Sequence, residues 1–185
     1  DWGYATYQWN TSAPDDPSQA LSVTQGVMDA NGRPQDLPQA PNACQQCPGK
    51  LEEHVLGFGA IQLTHSIANS VNIQELSDEG LLTVPAPAQG FPIPDGGDPV
   101  VGDALGYLHA NCGGCHNTSM PFPDMRLRVL TTATTPQETD TYITAVNVAT
   151  DVYMGEPYRI AGGDPAHSAI VERLSQGTMP PLGHE

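Results

Sequence analysis

The segment from Val84 to Pro99 constrains the fold most, because its sequence, VPAPAQGFPIPDGGDP, contains five prolines and three glycines. Proline removes a backbone N–H and fixes its φ angle, so neither a helix nor an interior strand can run through such a segment. We therefore place a domain boundary here. In a chain of 185 residues, this predicts an N-terminal extension over residues 1–83, a linker over 84–97 and a second domain over 98–185.

The N-terminal extension is predicted to consist largely of loops. Aromatic residues between Trp2 and Trp9 favour a short strand, and the sequence Asp-Ala-Asn-Gly at 29–32 is typical of a turn. Between Gly49 and Ser70 the apolar residues recur at roughly helical spacing, although the glycines at 57 and 59 weaken the pattern. We expect a helix over this stretch.

The second domain is predicted to be helical. Asp98 followed by Pro99 is a typical helix start. A capping box at 135–138, Thr-Pro-Gln-Glu, predicts a second helix through about Ala149. Asp164-Pro165 predicts a third helix, which ends at Gly177. The expected fold class is therefore mainly α, with a little β in the extension.

The chain is strongly acidic, with six lysines and arginines against twenty-one carboxylates and a formal net charge of −15. This balance argues against nucleic acid as a partner, and it leaves a basic partner, a neutral partner or one bridged by a metal ion. An acidic solvated surface suited to salty surroundings explains the charge equally well. No apolar run approaches the roughly 18 residues that a membrane span needs. The chain begins Asp-Trp-Gly-Tyr without a start methionine. We therefore expect a processed or trimmed product.

Residues 112–116, Cys-Gly-Gly-Cys-His, match the C-x-x-C-H attachment sequence of c-type haem. Cysteines three residues apart on a helical turn project to one side, where Cys112 and Cys115 can each bond a vinyl group, and His116 follows as an iron ligand. Gly113 and Gly114 are expected to leave room for the porphyrin edge. A redox dithiol should instead open a helix after a strand, and a zinc site would need further ligands at finger-like spacing. The motif predicts one covalently bound haem c.

A second axial ligand is expected in a loop downstream of the motif. Met179 is the preferred candidate because it follows the helix-ending Gly177 and precedes two prolines, which make the loop stiff. The other candidates are Met120, Met125, Met154, His167 and His184. His167 is expected on the surface of its own helix, and Met120 is too close to His116 to reach the opposite haem face.

Residues 98–181 resemble a class I cytochrome c in having a helix that ends in CGGCH, intermediate helices and the methionine loop TMPPLG. More narrowly, ALGYLHANC (104–112), RIAGGDP (159–165) and SAIVERL (168–174) resemble a group of exported bacterial haem-containing repeat proteins. The upstream stretches TYQWN and NACQQCPGKLEEHVLGFGAIQL are similar to the same group. The resemblance implies a cytochrome c-like helical haem domain and a periplasmic or extracellular location.

The upstream pair Cys44 and Cys47 departs from that family's pattern, because Pro48 stands where a second C-x-x-C-H would have its histidine. We therefore expect no second haem here. In an oxidising compartment the two cysteines are expected to form a short disulfide. A metal site with His54 or His65, for example for copper, is the alternative.

A class I cytochrome c ends in a helix that packs on the first one, but only four residues follow the methionine loop's prolines here. The first helix of the haem domain carries an apolar face of Val101, Leu105 and Leu108. The predicted helix over 49–70, a partner chain or residues beyond this sequence could cover that face. Self-association through it is one of the expected partnerships.

Ligation by both His116 and Met179 would leave the iron no open position, so we expect single-electron transfer with a redox protein rather than catalysis. No catalytic residue is assigned. A peroxidase-like haem enzyme with an open or labile distal site is the first alternative. A haem-bearing structural module of an extracellular complex is the second.

Overall fold

The structure is a computed structural model that describes residues 7–8, 21–22, 27–28, 34–35, 58–68, 70–119, 124–151 and 153–179. The chain divides into two compact units. The larger spans Val55–Glu172, and the smaller comprises Asp1–His54 with Arg173–Glu185. The predicted boundary at 84–97 stays a prediction.

The smaller unit contains two short antiparallel strand pairs. Strand β1 (Tyr7–Gln8) pairs with β2 (Leu21–Ser22), with Tyr7 opposite Ser22. Strand β3 (Val27–Met28) pairs with β4 (Pro34–Gln35), with Val27 opposite Gln35. The first strand falls in the predicted aromatic stretch, and the second pair flanks the predicted turn at 29–32.

Helices make up most of the regular structure in the described residues, so the fold is mainly α, as predicted. No helix among these residues is both long and apolar enough to cross a membrane. The α-helices and the two short 3₁₀ helices, in chain order, are α1 (Ile73–Asp78), α2 (Pro99–Asn111), a 3₁₀ helix (Pro136–Glu138), α3 (Asp140–Thr144), a 3₁₀ helix (Pro165–His167) and α4 (Ala169–Ser175).

Helix α2 begins as the sequence predicts. The Asp98 side chain accepts a hydrogen bond from the backbone N–H of Val100 at 3.0 Å, and Pro99 occupies the first turn, where its missing N–H costs nothing. The helix ends at Asn111, immediately before the cysteine motif.

The core of the larger unit covers part of the apolar face of α2, namely Leu105 and Val101. Leu105 lies in a buried cluster with Ile61 and Val129, and Phe91 and Ile93 pack against that cluster. Ile61 comes from the stretch predicted to be a helix over 49–70. That helix prediction is wrong for residues 58–68, which form turns and irregular structure, whereas residues 49–57 and 69 lie outside the described residues.

Helix α1 was not predicted from the sequence. Its start is nevertheless encoded locally, because Asn72 and Glu75 form a complete capping box. The Asn72 side chain accepts from the backbone N–H groups of Gln74 and Glu75 at 3.0 Å each. A helix of only six residues gives a weak periodic signal, which explains the omission.

The capping box at 135–138 opens a 3₁₀ turn and then α3, which ends at Thr144 rather than near Ala149. The predicted length is wrong because the chain beyond Thr144 turns away to pair with residues 158–160. The N–H of Arg159 donates to the carbonyl of Val148 at 2.8 Å, and the N–H of Asn147 donates to that of Ile160 at 2.7 Å. These tertiary hydrogen bonds outweigh the local helical preference.

The last predicted helix has the expected start and end, since a 3₁₀ turn begins at Pro165 and Gly177 adopts a positive φ of 67°. It is interrupted at Ser168. The Ser168 hydroxyl donates to the carbonyl of Asp164 at 2.9 Å and accepts from the N–H of Ala161 at 2.8 Å, which ties the helix start to the RIAGGDP stretch.

Candidate haem site

The cysteine motif forms one tight turn at the end of α2. The N–H of Cys112 still donates to the carbonyl of Leu108 at 2.9 Å, so the motif continues from the helix. The carbonyl of Cys112 then accepts from the N–H groups of Cys115 at 3.0 Å and His116 at 2.8 Å. The two cysteines and the histidine are thereby brought together on a single turn.

A buried asparagine that sequence analysis missed tightens this turn. Asn117 is 3% exposed. Its amide donates to the carbonyl of Gly114 at 2.8 Å and to that of Gly113 at 3.3 Å, while its side-chain oxygen accepts from the N–H of Ser119 at 2.8 Å. No spacing rule points to this residue, because its role depends on the turn having formed.

The two motif cysteines are half-buried. Burial raises the pKa of the Cys112 thiol, and the nearby Cys115 raises it further. Redox-active dithiols show the opposite shift, because they need a stabilised thiolate. The environment of Cys112 therefore disfavours the thiolate form of this side chain.

The ring of His116 is oriented by a main-chain acceptor. Its Nδ1 lies 3.2 Å from the carbonyl oxygen of Met125. Because a carbonyl oxygen only accepts hydrogen bonds, Nδ1 carries the proton in this contact and Nε2 carries the lone pair. Iron-ligating histidines are commonly held in this way, with the second nitrogen donating to a carbonyl. The donor set of this turn thus fits a covalently attached haem.

The acceptor belongs to a stretch without regular secondary structure, residues 124–129, which we call the proximal segment. The N–H of Leu127 donates to the carbonyl of His116 at 2.9 Å, and the N–H of Val129 donates to Nδ1 of His109 at 3.1 Å. Leu127 and Val129 are 1% and 3% exposed. The proximal segment is therefore fastened to both the motif turn and the end of α2.

Gly113 permits this close packing. A Cβ atom at this position would lie 2.6 Å from the carbonyl oxygen of His109 and 3.2 Å from that of Leu127. The sequence predicted that Gly113 leaves room for the porphyrin edge, but the structure shows a different reason for a glycine at this position. Gly113 is buried against the proximal segment, where any side chain would collide with backbone.

His109 is buried beneath the motif turn and is 8% exposed. Its pKa is lowered, first by burial and then by the positive charge of Arg128. The neutral ring accepts the Val129 N–H at Nδ1, so its proton resides on Nε2. That N–H has no hydrogen-bond partner among the described residues.

On its other side the proximal segment is held by Thr144 and Arg159. The hydroxyl of Thr144 accepts from the N–H of Arg126 at 2.8 Å. Arg159 is 8% exposed, and its guanidinium donates to the carbonyl of Asp124, to the carbonyl of Thr144 at 2.8 Å and to the carboxylate of Asp151 at 2.7 Å. The sequence offered one indication of this hydrogen-bonding role, which is that an arginine stands within the RIAGGDP stretch of a very acidic chain.

Met179, the predicted distal ligand, is half-buried and belongs to the smaller unit, whereas the motif belongs to the larger one. Its N–H donates to the carbonyl of Arg173 at 3.3 Å, just after the positive φ of Gly177. Its role as an iron ligand stays a prediction.

The remaining candidate residues have varied surroundings. Met125 contributes its carbonyl to His116, Met154 is 94% exposed, and His167 is exposed as predicted, with Nδ1 2.7 Å from an oxygen of Asp164. His65 Nδ1 accepts from the N–H of Ile67 at 3.3 Å. No group of three or more possible ligands for a metal ion occurs among the described residues. The candidates outside those residues are Cys44, Cys47, His54, Met120 and His184.

In comparisons with known proteins, no protein-family model, curated protein or solved structure matches this chain.

Proposed function

We propose that the protein is an exported monohaem c-type cytochrome that transfers single electrons. In this proposal one haem is bound covalently to Cys112 and Cys115, and its iron is ligated by His116 and Met179. When bound, haem c supplies an iron centre that is oxidised and reduced by one electron at a time. The observation that carries the proposal is the His116 imidazole held at 3.2 Å by the Met125 carbonyl, on the same turn as the two cysteines.

Each thiol has a defined role in attachment. It adds across one vinyl group, so that a sulfur–carbon bond forms and hydrogen passes to the other vinyl carbon. No external oxidant is needed for this addition. Because c-type haem is attached outside the bacterial cytoplasm, the proposal includes a periplasmic or extracellular location.

His116 has two roles in the proposal. Its Nε2 would ligate the haem iron, and its Nδ1–H donates to the Met125 carbonyl. The hydrogen bond fixes the ring plane and increases the basicity of the ligating nitrogen. Met179 would supply its thioether as the second iron ligand, which would exclude small ligands and raise the reduction potential relative to a second histidine.

The described surface favours a basic redox partner. All four described arginines, at positions 126, 128, 159 and 173, are buried or half-buried, so every exposed charged side chain in the described residues other than histidine is a carboxylate. Such a surface attracts cationic partners by long-range electrostatics, and added salt screens this attraction. Electron exchange with a cationic mediator should therefore slow with added salt more than exchange with a neutral one.

The distal ligand decides between an electron carrier and a haem enzyme. In the oxidised wild type we expect the weak far-red band of methionine-to-iron charge transfer, and the reduced protein should not bind carbon monoxide. Met179→Ala should abolish the band, lower the potential and admit carbon monoxide. Met154→Ala is the matched control, because Met154 is 94% exposed and should change none of these properties.

Carbon monoxide binding by the wild type, or an unchanged spectrum in Met179→Ala, would remove the main support for electron transfer. A peroxidase-like function with an open distal site would then be the better proposal.

A further inference from the structure

We propose that Arg159 is a positioning residue for the proximal histidine, an inference that rests on the proposed haem attachment at His116. Its buried guanidinium bonds three parts of the larger unit that lie 35, 15 and 8 residues away in sequence. Two of these acceptors are backbone carbonyls, those of Asp124 and Thr144, and both are donated to by the same nitrogen, Nη1.

That nitrogen joins the proximal segment to the end of α3. Asp124 immediately precedes Met125, so the bond to its carbonyl fixes the chain where it enters the peptide group that faces His116. Thr144 is the last residue of α3, and its hydroxyl accepts the N–H of Arg126. Arg159 thus bonds Asp124, which precedes the peptide group between Met125 and Arg126. It also bonds Thr144, whose hydroxyl accepts the N–H of that same peptide group.

The planar geometry of a trans peptide fixes the direction in which the Met125 carbonyl points. The carbonyl of Met125 and the N–H of Arg126 belong to the same planar group and point in opposite directions. Thr144 holds the N–H on one side at 2.8 Å, and the carbonyl consequently points to His116 on the other, at 3.2 Å. A shift of either support would rotate the acceptor away from the imidazole.

Burial of a guanidinium carries a large desolvation penalty. Hydrogen bonds offset this penalty only where several acceptors match the planar arrangement of its N–H donors. Lysine would retain the positive charge but could not reproduce the fork. Arg159→Lys therefore separates the geometric effect from the loss of charge. Loss of the charge itself would favour oxidised iron, whereas a weaker bond from His116 to Met125 makes the ligand less basic and favours reduced iron.

The test uses the full-length, haem-loaded chain and measures haem content, the reduction potential and the exchange rate of the His116 Nδ1 proton by NMR in the reduced state. In Arg159→Lys we expect normal haem content, a raised potential and exchange about fivefold to tenfold faster, the change that corresponds to weakening one hydrogen bond. The N–H of Cys112, which donates to Leu108, should exchange as in the wild type.

Asp151→Asn is the matched control, because it alters only the exposed partner of the guanidinium and leaves both carbonyl bonds in place. It should leave the potential and the His116 proton close to the wild type. If Arg159→Lys fails to accumulate, Thr144→Val tests the same peptide group, because it removes the hydroxyl that accepts the Arg126 N–H. Thr144→Val should speed the exchange of the His116 Nδ1 proton, while Thr144→Ser, which keeps the hydroxyl, should exchange as the wild type does.

A His116 proton and a potential that stay unchanged in a haem-loaded Arg159→Lys variant would overturn this inference and leave the proposed function intact. Exchange that accelerates equally at Cys112 would also overturn it, since Arg159 would then act only on general stability. A wild-type chain that carries no haem would instead overturn both proposals.

Discussion

The imidazole of His116 and the main-chain carbonyl of Met125 lie 3.2 Å apart, from Nδ1 to oxygen. This contact joins the turn that carries the cysteines to the proximal segment. It assigns the ring proton to Nδ1 and the lone pair to Nε2. The backbone of the proximal segment thus fixes the orientation of the His116 ring.

The close approach of the proximal segment to the motif turn makes a first prediction about Gly113. In Gly113→Ala the new Cβ would lie 2.6 Å from the carbonyl oxygen of His109 and must push backbone apart. We expect a loss of about 1–3 kcal/mol in the free energy of unfolding, as for other overpacked sites, and a lower yield of haem-loaded protein. Chemical denaturation and haem content measure the two effects.

Gly162→Ala is the control for this substitution. Its Cβ would come no closer than 3.4 Å to the side chain of Asn147, which is ordinary contact. The free energy of unfolding should change by no more than about 0.5 kcal/mol. Equal stability of the two variants would contradict the packing role assigned to Gly113.

The second prediction concerns the acid sensitivity of His109. Its pKa is lowered by burial and by Arg128, so the folded ring resists a proton that the unfolded chain takes up around the ordinary value of 6.5. Between the lowered folded-state pKa and 6.5, the unfolded state binds more protons than the folded state. The contribution of His109 to the free energy of unfolding is therefore fully present above pH 6.5 and is lost as the pH falls towards the folded-state pKa.

Urea unfolding across that interval should show the loss in the wild type and a shallower dependence in His109→Gln, whose side chain does not titrate. A His109→Gln variant with the same pH dependence as the wild type would show that the ring is not held neutral.

The exposed pair of Asp164 and His167 provides a third prediction of opposite sign. The hydrogen bond to Asp164 raises the pKa of His167, so the contribution of the histidine is complete below 6.5 and is lost as the pH rises through its folded-state value. The same bond lowers the pKa of Asp164, whose contribution is present above 3.8 and is lost as the pH falls further.

The pair should therefore stabilise the fold most between these two values. His167→Gln should reduce stability slightly within this window and have no effect well above it, and added salt should shrink the difference because both groups are exposed. Denaturation curves at two pH values and two salt concentrations check this. A larger loss at alkaline pH would contradict the assignment.

Features encoded by neighbouring residues could be predicted from the sequence. The start of α2 at Asp98 and Pro99, its end at the cysteine motif, and the stop at Gly177 all depend on interactions within one turn. The grouping of Cys112, Cys115 and His116 follows from the same local geometry.

Features that depend on distant partners could not be predicted. Helix α3 ends early because the chain after Thr144 pairs with residues 158–160, and residues 58–68 form turns around the buried Ile61 rather than a helix. The role of Arg159 depends on a carbonyl 35 residues away. Only the folded chain brings such groups together, so no periodicity or spacing reports them.

The proposed function requires one covalent haem at the motif on residues 112–116. The most direct test is the intact mass of the full chain, produced in a host that matures c-type cytochromes, together with an alkaline pyridine spectrum that counts the haem. We predict one haem per chain, which is absent when Cys112 and Cys115 are both replaced by alanine and retained when Cys44 and Cys47 are replaced. The proposed haem site would be contradicted by a wild-type chain with no haem, by a chain with two haems, or by a haem that survives loss of Cys112 and Cys115.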